Sequence, residues 1–304
     1  MPRPFPAYQF DKLLLDHDSL KYNPTREWIF PSPFHAGRHL KDAQAEWYLY
    51  YSPHDSPGGI CLALGDKVEG PYREYAENPI IGREWAPHYS VSHVASPHPL
   101  WVEEEGKLFL WFHGENDVTR YATSTDGIHF AYEGVALTAA NFDGISECSY
   151  ARVFAHELPS LDARYIFMAM GNRGGNRHIY FAHSADARKW VARPEPLIWA
   201  KEENGGQTSA PYLLRRNGGF YVLHHCDWHN GAGNIFATEV SPDFTMVGET
   251  EMIFEARKEA PDNRRVGDPF PVFLDGQEEP SLLYCAGQRL KGVLALARPI
   301  PPEV

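Results

Sequence analysis

The stretch "EWYLYYSPHDSPGGICLALG", Glu46–Gly65, decides the fold because it is one of five copies of a single pattern. An aromatic alternating run leads into a polar loop bearing Gly and Pro, and a second apolar run follows. Period-two alternation broken by turn residues is the signature of a β-hairpin. The other copies are "KLFLWFHGENDVTRYATS" (Lys107–Ser124), "RYIFMAMGNRGGNRHIYFAHS" (Arg164–Ser184), "GFYVLHHCDWHNGAGNIFATE" (Gly219–Glu239) and "PSLLYCAGQRLKGVLALA" (Pro280–Ala297). Such internal similarity is weighed before any local structure is assigned, because missing it misassigns the whole fold.

Ahead of each hairpin lies a further strand: "PSPFHA", "ASPHPLWV", "CSYARVFA", "TSAPYLLR" and "GDPFPVFL". Behind several comes a fourth, announced by "DKVEGPYREY", "STDGIHFAYEG" or "SADARKWVARP". Four strands per unit, in five units of roughly 60 residues, predict an all-β five-bladed β-propeller with antiparallel blades in one domain spanning residues 1–304. The fifth unit stops after three strands, so the N-terminal "YQFDKLLLD" is expected to complete it and close the ring. A pair of β-sandwiches is the structural alternative, but it leaves the equivalent units along the whole chain unexplained.

Composition agrees with a packed β protein. Of 304 residues 43% are hydrophobic and 13% aromatic, which supplies both strand formers and flat surfaces on which sugars stack. The balance of 28 basic against 40 acidic residues gives −12, which argues against a nucleic-acid partner. No apolar run approaches membrane-spanning length, and "MPRPFPAYQF" lacks the pattern of a signal peptide, so a cytoplasmic protein without a membrane partner is expected. Cys61, Cys148, Cys226 and Cys285 are widely spaced in apolar runs, which reads as buried free thiols.

In a propeller the start of each innermost strand and the end of each second strand meet at one mouth of the axial channel. This gathers the loop residues into a candidate pocket. His225, Asp227 and His229 share a parity in "HHCDWH" and, with Trp228 as a stacking platform, are read first as contacts to sugar hydroxyls. Zinc, or a divalent cation on the axis, is the alternative for this cluster; a zinc site wants three ligands in fixed geometry and a second shell. His54, Asp55 and His113 occupy equivalent hairpin loops, His98 opens its strand, and Glu115 is an acid/base candidate on the blade-two loop. Arg152, Arg173, Arg177 and Arg289 also fall at loop positions; guanidinium groups bind carboxylates bidentately, so an acidic sugar is favoured if several face the channel.

With these units in hand, the chain resembles the five-bladed furanosidase-type glycoside hydrolases, particularly family 43 and its relatives in families 32, 62 and 117. The resemblance spans the chain as repeat architecture, with local signatures in "LYYSPHDSPGGICLALGDKVEGPY" (Leu49–Tyr72) and "YATSTDGIHF" (Tyr121–Phe130). It implies three carboxylates near inner-strand starts: a base on blade one, a modulating Asp on blade three and an acid Glu on blade four. The sequence departs from that set. Ser32 stands where the base is expected, Glu147 can replace the modulating Asp, and "GGQTSAP" offers Gln207 but no acid. Blade five instead contributes Asp268.

The expectation is therefore a glycoside hydrolase acting on oligosaccharides or polysaccharide ends, with Glu147, Asp268 and Glu115 in acid/base roles. Substrate contacts are expected from Ser32, His54, Asp55, His98, His113, Arg152, Arg173, Gln207, His225, Asp227, Trp228 and Arg289. Two alternatives stay open: a uronate-directed lyase using His or Tyr with Arg, and a sugar-binding propeller without catalysis.

Overall fold

The computed structural model describes residues 5–202, 205–227 and 231–300. Five four-stranded antiparallel sheets follow one another around a common axis. Blade one comprises Ile29–His35, Trp47–Ser52, Cys61–Gly65 and Tyr72–Glu74, and blade two Val94–Val102, Lys107–Gly114, Val118–Ser124 and Ala131–Thr138. Blade three comprises Ser149–Leu158, Ala163–Arg173, Asn176–Ser184 and Val191–Ala192, and blade four Thr208–Arg216, Gly219–Asp227, Gly233–Val240 and Val247–Phe254. Blade five takes Val266–Val272, Ser281–Ala286 and Val293–Pro299, and its outer strand is Tyr8–Leu13 from the other end of the chain. The expected closure is thus observed: Tyr8 pairs with Pro299 and Leu13 with Ala295. A small hairpin not anticipated from sequence, Glu84–Trp85 with Tyr89–Ser90, lies between blades one and two. Helical segments among the described residues are no longer than four residues.

The middle strands are buried on both faces because each blade is sandwiched between its neighbours. Tyr50, Leu62 and Leu64 of blade one pack with Leu108, Leu110 and Phe112 of blade two. On the opposite face, Leu49, Tyr51 and Cys61 pack with Phe270, Leu283 and Leu294 of blade five. Each such side chain contributes about 1.5–3 kcal/mol on burial, which explains why alternation in these strands runs aromatic against aliphatic rather than apolar against polar. All four cysteines are buried free thiols. The turns between third and fourth strands repeat as well. Ser124, Ser184 and Ser241 each bond the Asp two residues on, and Gly127, Ala187 and Phe244 follow with positive φ.

The feature that shapes the axis is a bulge repeated five times. Pairing of inner and second strands breaks between Ile29 and Ser32, Ala95 and His98, Ser149 and Arg152, Ser209 and Tyr212, and Gly267 and Phe270. In every break the first unpaired residue is left-handed: Phe30 (φ 62°), Ser96 (59°), Tyr150 (53°), Ala210 (51°) and Asp268 (51°). Proline follows in four of the five, fixing the next φ and donating nothing to the ladder. These five residues form a ring at the mouth, with Phe30 against Tyr150 at 4.8 Å between ring centroids. Two residues further on, Ser32, His98, Arg152, Tyr212 and Phe270 form the floor. Ser32 Oγ and Arg152 Nη1 both donate to Pro97 O, at 2.7 and 2.9 Å, and Tyr212 lies 4.4 Å from Phe270.

The outer strand Tyr8–Leu13 ties the last blade to the first through Leu14, whose N–H donates to Leu294 O and whose carbonyl accepts from Tyr72 N. Deleting residues 1–13 removes this ladder and exposes the packing site of the buried Tyr8. Burial of one such side chain alone is worth about 1.5–3 kcal/mol, so the deletion should lower the thermal unfolding midpoint by about 5 °C or more in a calorimetric scan.

Candidate active site

A pocket of about 250 Å³ opens on this mouth, off-centre toward blades four, five and one. Its lining is Glu27, Ile29, Phe30 and His54 from blade one, Tyr150 and Arg177 from blade three, His225, Asp227 and Gly231 from blade four, and Arg265, Asp268, Gln288 and Arg289 from blade five. The fivefold bulge explains how these side chains come together. Three residues before each ring position the inner strands carry Glu27, His93, Glu147, Gln207 and Arg265, a polar rim above the ring Phe30, Ser96, Tyr150, Ala210 and Asp268.

Asp268 is the one carboxylate of the ring. Its side chain is buried, and its Oδ1 makes no hydrogen bond to any described residue. Its backbone N–H donates to His225 Nδ1 at 3.1 Å, so the neutral imidazole carries its proton on Nε2, which faces Asp227 Oδ2 at 3.5 Å. Gly267 permits this approach: a Cβ there would lie 3.2 Å from His225 Nδ1. Asp227 in turn accepts from Arg265 Nε at 3.2 Å. Burial pushes the Asp227 carboxyl upward, but His225 and Arg265 outweigh it and hold the group well below the usual carboxylate range.

Glu27 behaves in the opposite way. It is 2% exposed; its Oε1 accepts the Leu290 N–H at 2.9 Å and its Oε2 has no hydrogen-bond partner among the described residues. Burial raises its pKa from the ordinary carboxyl value, against the bond from Leu290 and the nearby His54 and Arg265.

A third arrangement runs along the blade-one loop. Asp55 Oδ1 lies 2.7 Å from His54 Nδ1, and His54 Nε2 lies 2.7 Å from the Tyr150 hydroxyl. A carboxylate at Nδ1 keeps the proton there, so Nε2 accepts from the phenol. Arg289 donates to both Asp55 oxygens, at 3.1 and 3.3 Å. Burial would raise the Asp55 carboxyl, but His54 and Arg289 hold it below its ordinary value.

The structure therefore brings His54, Arg177, His225, Asp227, Asp268 and Arg289 together, with Asp55 behind His54. The remaining sequence candidates lie elsewhere. Ser32, His98 and Arg152 belong to the buried floor, two residues past the turn; His98 Nε2 donates to Val153 O at 2.8 Å. Ring equivalence also moves the blade-one position: Phe30, not Ser32, corresponds to Asp268. His113 is buried edge-on against Phe30, and burial pushes its imidazole well below its ordinary pKa. Glu115 is a half-exposed loop residue accepting from Arg120 at 3.1 Å. Glu147 accepts from Asn172 at 3.3 Å, Arg173 pairs with Glu195 at 2.6 Å, and Gln207 donates to Gly175 O at 3.1 Å. Trp228 and His229 lie outside the described residues. Among the described residues no group of three or more His, Cys, Asp or Glu is arranged to hold a metal ion.

Sequence reasoning missed Glu27, Tyr150 and Arg265. The signal was present: aligning Phe30-Pro31, Ser96-Pro97, Ala210-Pro211 and Asp268-Pro269 puts Tyr150 in the ring and Glu27 and Arg265 on the rim beside Glu147.

Neither a family model nor a curated protein matches the chain. Solved structures do. A glycosyl hydrolase from Bacteroides ovatus aligns over 98% of this chain and 96% of its own, with a TM-score of 0.69 and 13% identity. An α-L-arabinofuranosidase from Lactobacillus brevis aligns over 91% and 92%, with a TM-score of 0.65 and 15% identity. The catalytic domain of a GH62 α-L-arabinofuranosidase from Coprinopsis cinerea aligns over 96% of both chains, with a TM-score of 0.62 and 11% identity. At these identities the likeness establishes the shared propeller, as the sequence resemblance implied.

The depressed Asp227 carboxyl gives a stability signature. A folded-state pKa below the unfolded one stabilises fully above the unfolded value of about 4, and the contribution drains away as pH falls through the folded value. Asp227→Asn should therefore cost about 1–3 kcal/mol at pH 7, the penalty for leaving Arg265 without its partner. The difference in unfolding midpoint from the parent protein should shrink in scans taken progressively below pH 4.

Proposed function

We propose that the chain is a glycoside hydrolase acting on oligosaccharides or polysaccharide ends, with Glu27 as proton donor and Asp268 as the second carboxyl group. The names of the solved structures with this fold supply the reaction class, hydrolysis of glycosidic bonds. The observation that carries the assignment of residues is the contrast among carboxyl groups at the mouth. Asp227, Asp55 and Glu115 are each engaged by an arginine. Glu27 and Asp268 share the pocket, and each keeps one oxygen without a hydrogen bond.

Glycoside hydrolysis asks for that division: one carboxyl protonated to meet the leaving oxygen, another to serve at the anomeric carbon. Burial favours the protonated form of Glu27, and as the glycosidic C–O bond breaks the leaving oxygen takes that proton. Asp268, at the bottom of the pocket, faces the anomeric carbon as base toward water or as nucleophile. His225 fixes the Asp268 backbone through the amide it accepts, and Phe30 supplies an apolar face for the sugar ring. Glu147 and Glu115 are left out of this pair because neither lines the pocket.

Elimination at a uronate is the second reading, and one observation favours it. The Tyr150–His54–Asp55 chain offers a phenol whose proton has an imidazole waiting for it, the equipment needed to take a proton beside a carboxylate.

Glu27→Gln and Asp268→Asn should each lower turnover by about 10²–10⁴-fold on an oligosaccharide that the parent protein cleaves, with the unfolding midpoint preserved. Because Glu27 acts as the acid, activity should fall on the alkaline side, at a pH displaced upward from the ordinary carboxyl value. Products decide the class: new reducing ends without ultraviolet absorbance mean hydrolysis, whereas an absorbing unsaturated sugar, lost in Tyr150→Phe, means elimination. Full turnover in both carboxyl variants would remove the assignment.

A further inference from the structure

We infer that Arg177 is the anchor for a sugar carboxylate, so that the pocket takes a uronic acid residue; this rests on reading the pocket as a sugar site. Three guanidinium groups line the pocket, and two are hydrogen-bonded to a carboxylate. Arg265 is held by Asp227, and Arg289, largely in solvent, by Asp55. Arg177 differs. Its Nε faces Glu147 Oε2 at 3.9 Å, beyond hydrogen-bond distance, and its terminal nitrogens make no hydrogen bond to any described residue. With Nε turned toward Glu147, the fork of Nη1 and Nη2 is the part left for a ligand, and its spacing matches the two oxygens of a carboxylate.

The surroundings show that this side chain is held in place. Arg177 stands at the end of the hairpin turn of blade three, and its backbone bridges to Gln207 of blade four. Gln207 Nε2 donates to Gly175 O at 3.1 Å, and Gly175 N donates to Asn172 Oδ1 at 3.0 Å. The same Asn172 donates to Glu147 at 3.3 Å, so Glu147 and Gln207 brace the turn from two sides and act as positioning residues for Arg177.

Charge gives the anchor its purpose. The protein carries −12 overall, a field that disfavours an acidic sugar. Capture of such a sugar then depends on a local cation whose hydrogen-bonding fork is not already taken by a carboxylate. Burial disfavours charge on Glu27, and Asp227 and Asp55 are compensated by their arginines.

The test is binding, measured by NMR titration at low ionic strength with D-galacturonate and D-glucuronate against D-galactose and D-glucose. A uronate should bind the parent protein about tenfold or more tightly than its neutral counterpart, the scale of one charge-assisted bidentate contact. Arg177→Gln should erase that preference, and Arg177→Lys should recover part of it. Glu147→Gln should weaken uronate binding less than Arg177→Gln does. Equal binding of acidic and neutral sugars, or a preference that survives in Arg177→Gln, overturns the inference but not the sugar site. Failure of all four sugars to bind overturns both. Uronate preference that is lost in Arg177→Gln upholds the inference.

Discussion

The left-handed turn at the start of each inner strand is the constraint on which the rest depends. A non-glycine residue in this conformation costs roughly 1–2 kcal/mol, and the propeller accepts it five times, at Phe30, Ser96, Tyr150, Ala210 and Asp268. What the turn accomplishes is geometric. It adds a step to one strand of each pair, tips one side chain over the channel mouth and sends the next but one down to the floor. Without it, Asp268 and Tyr150 would follow the ladder into the interblade core. With it, they share a pocket with residues from the loops above.

The repeat was legible because strands buried between blades leave long aromatic and aliphatic runs, and because the polar loops between them recur. Blade count, strand order and closure by the N-terminal strand were all readable from those runs. The register at the mouth was not. The family resemblance points to Ser32 as the mouth residue, but the left-handed turn between Ile29 and Ser32 hands that place to Phe30. The same step puts His98 and Arg152 on the floor rather than in the pocket. His225 and Asp227 were recoverable because they sit at the end of a second strand, where no bulge intervenes before the loop.

Partner identity was the other limit. Whether a carboxylate is free or engaged depends on arginines distant in the chain, and Arg289 on Asp55 or Arg265 on Asp227 has no local sequence signature. Glu147 and Glu27 occupy equivalent rim positions, yet one stands beside Asn172 and Arg177 while the other is enclosed against Leu290. Equivalent positions thus acquire different surroundings from what the neighbouring blade provides. That is how a fivefold scaffold yields an asymmetric site.

Ring closure also sets when the site can exist. Glu27 belongs to the first blade, while Leu290, the amide that holds it, lies 263 residues later, on the same hairpin of blade five as Arg289. A growing chain therefore carries half of its pocket from an early moment and gains the other half only after the last blade has folded against the first. Contacts of such sequence separation form late in folding, because a long loop must be closed before they are rewarded. The pocket at this mouth stays incomplete in every shorter form of the polypeptide, and a ring opened at its seam separates Glu27 from Asp268 in a single event.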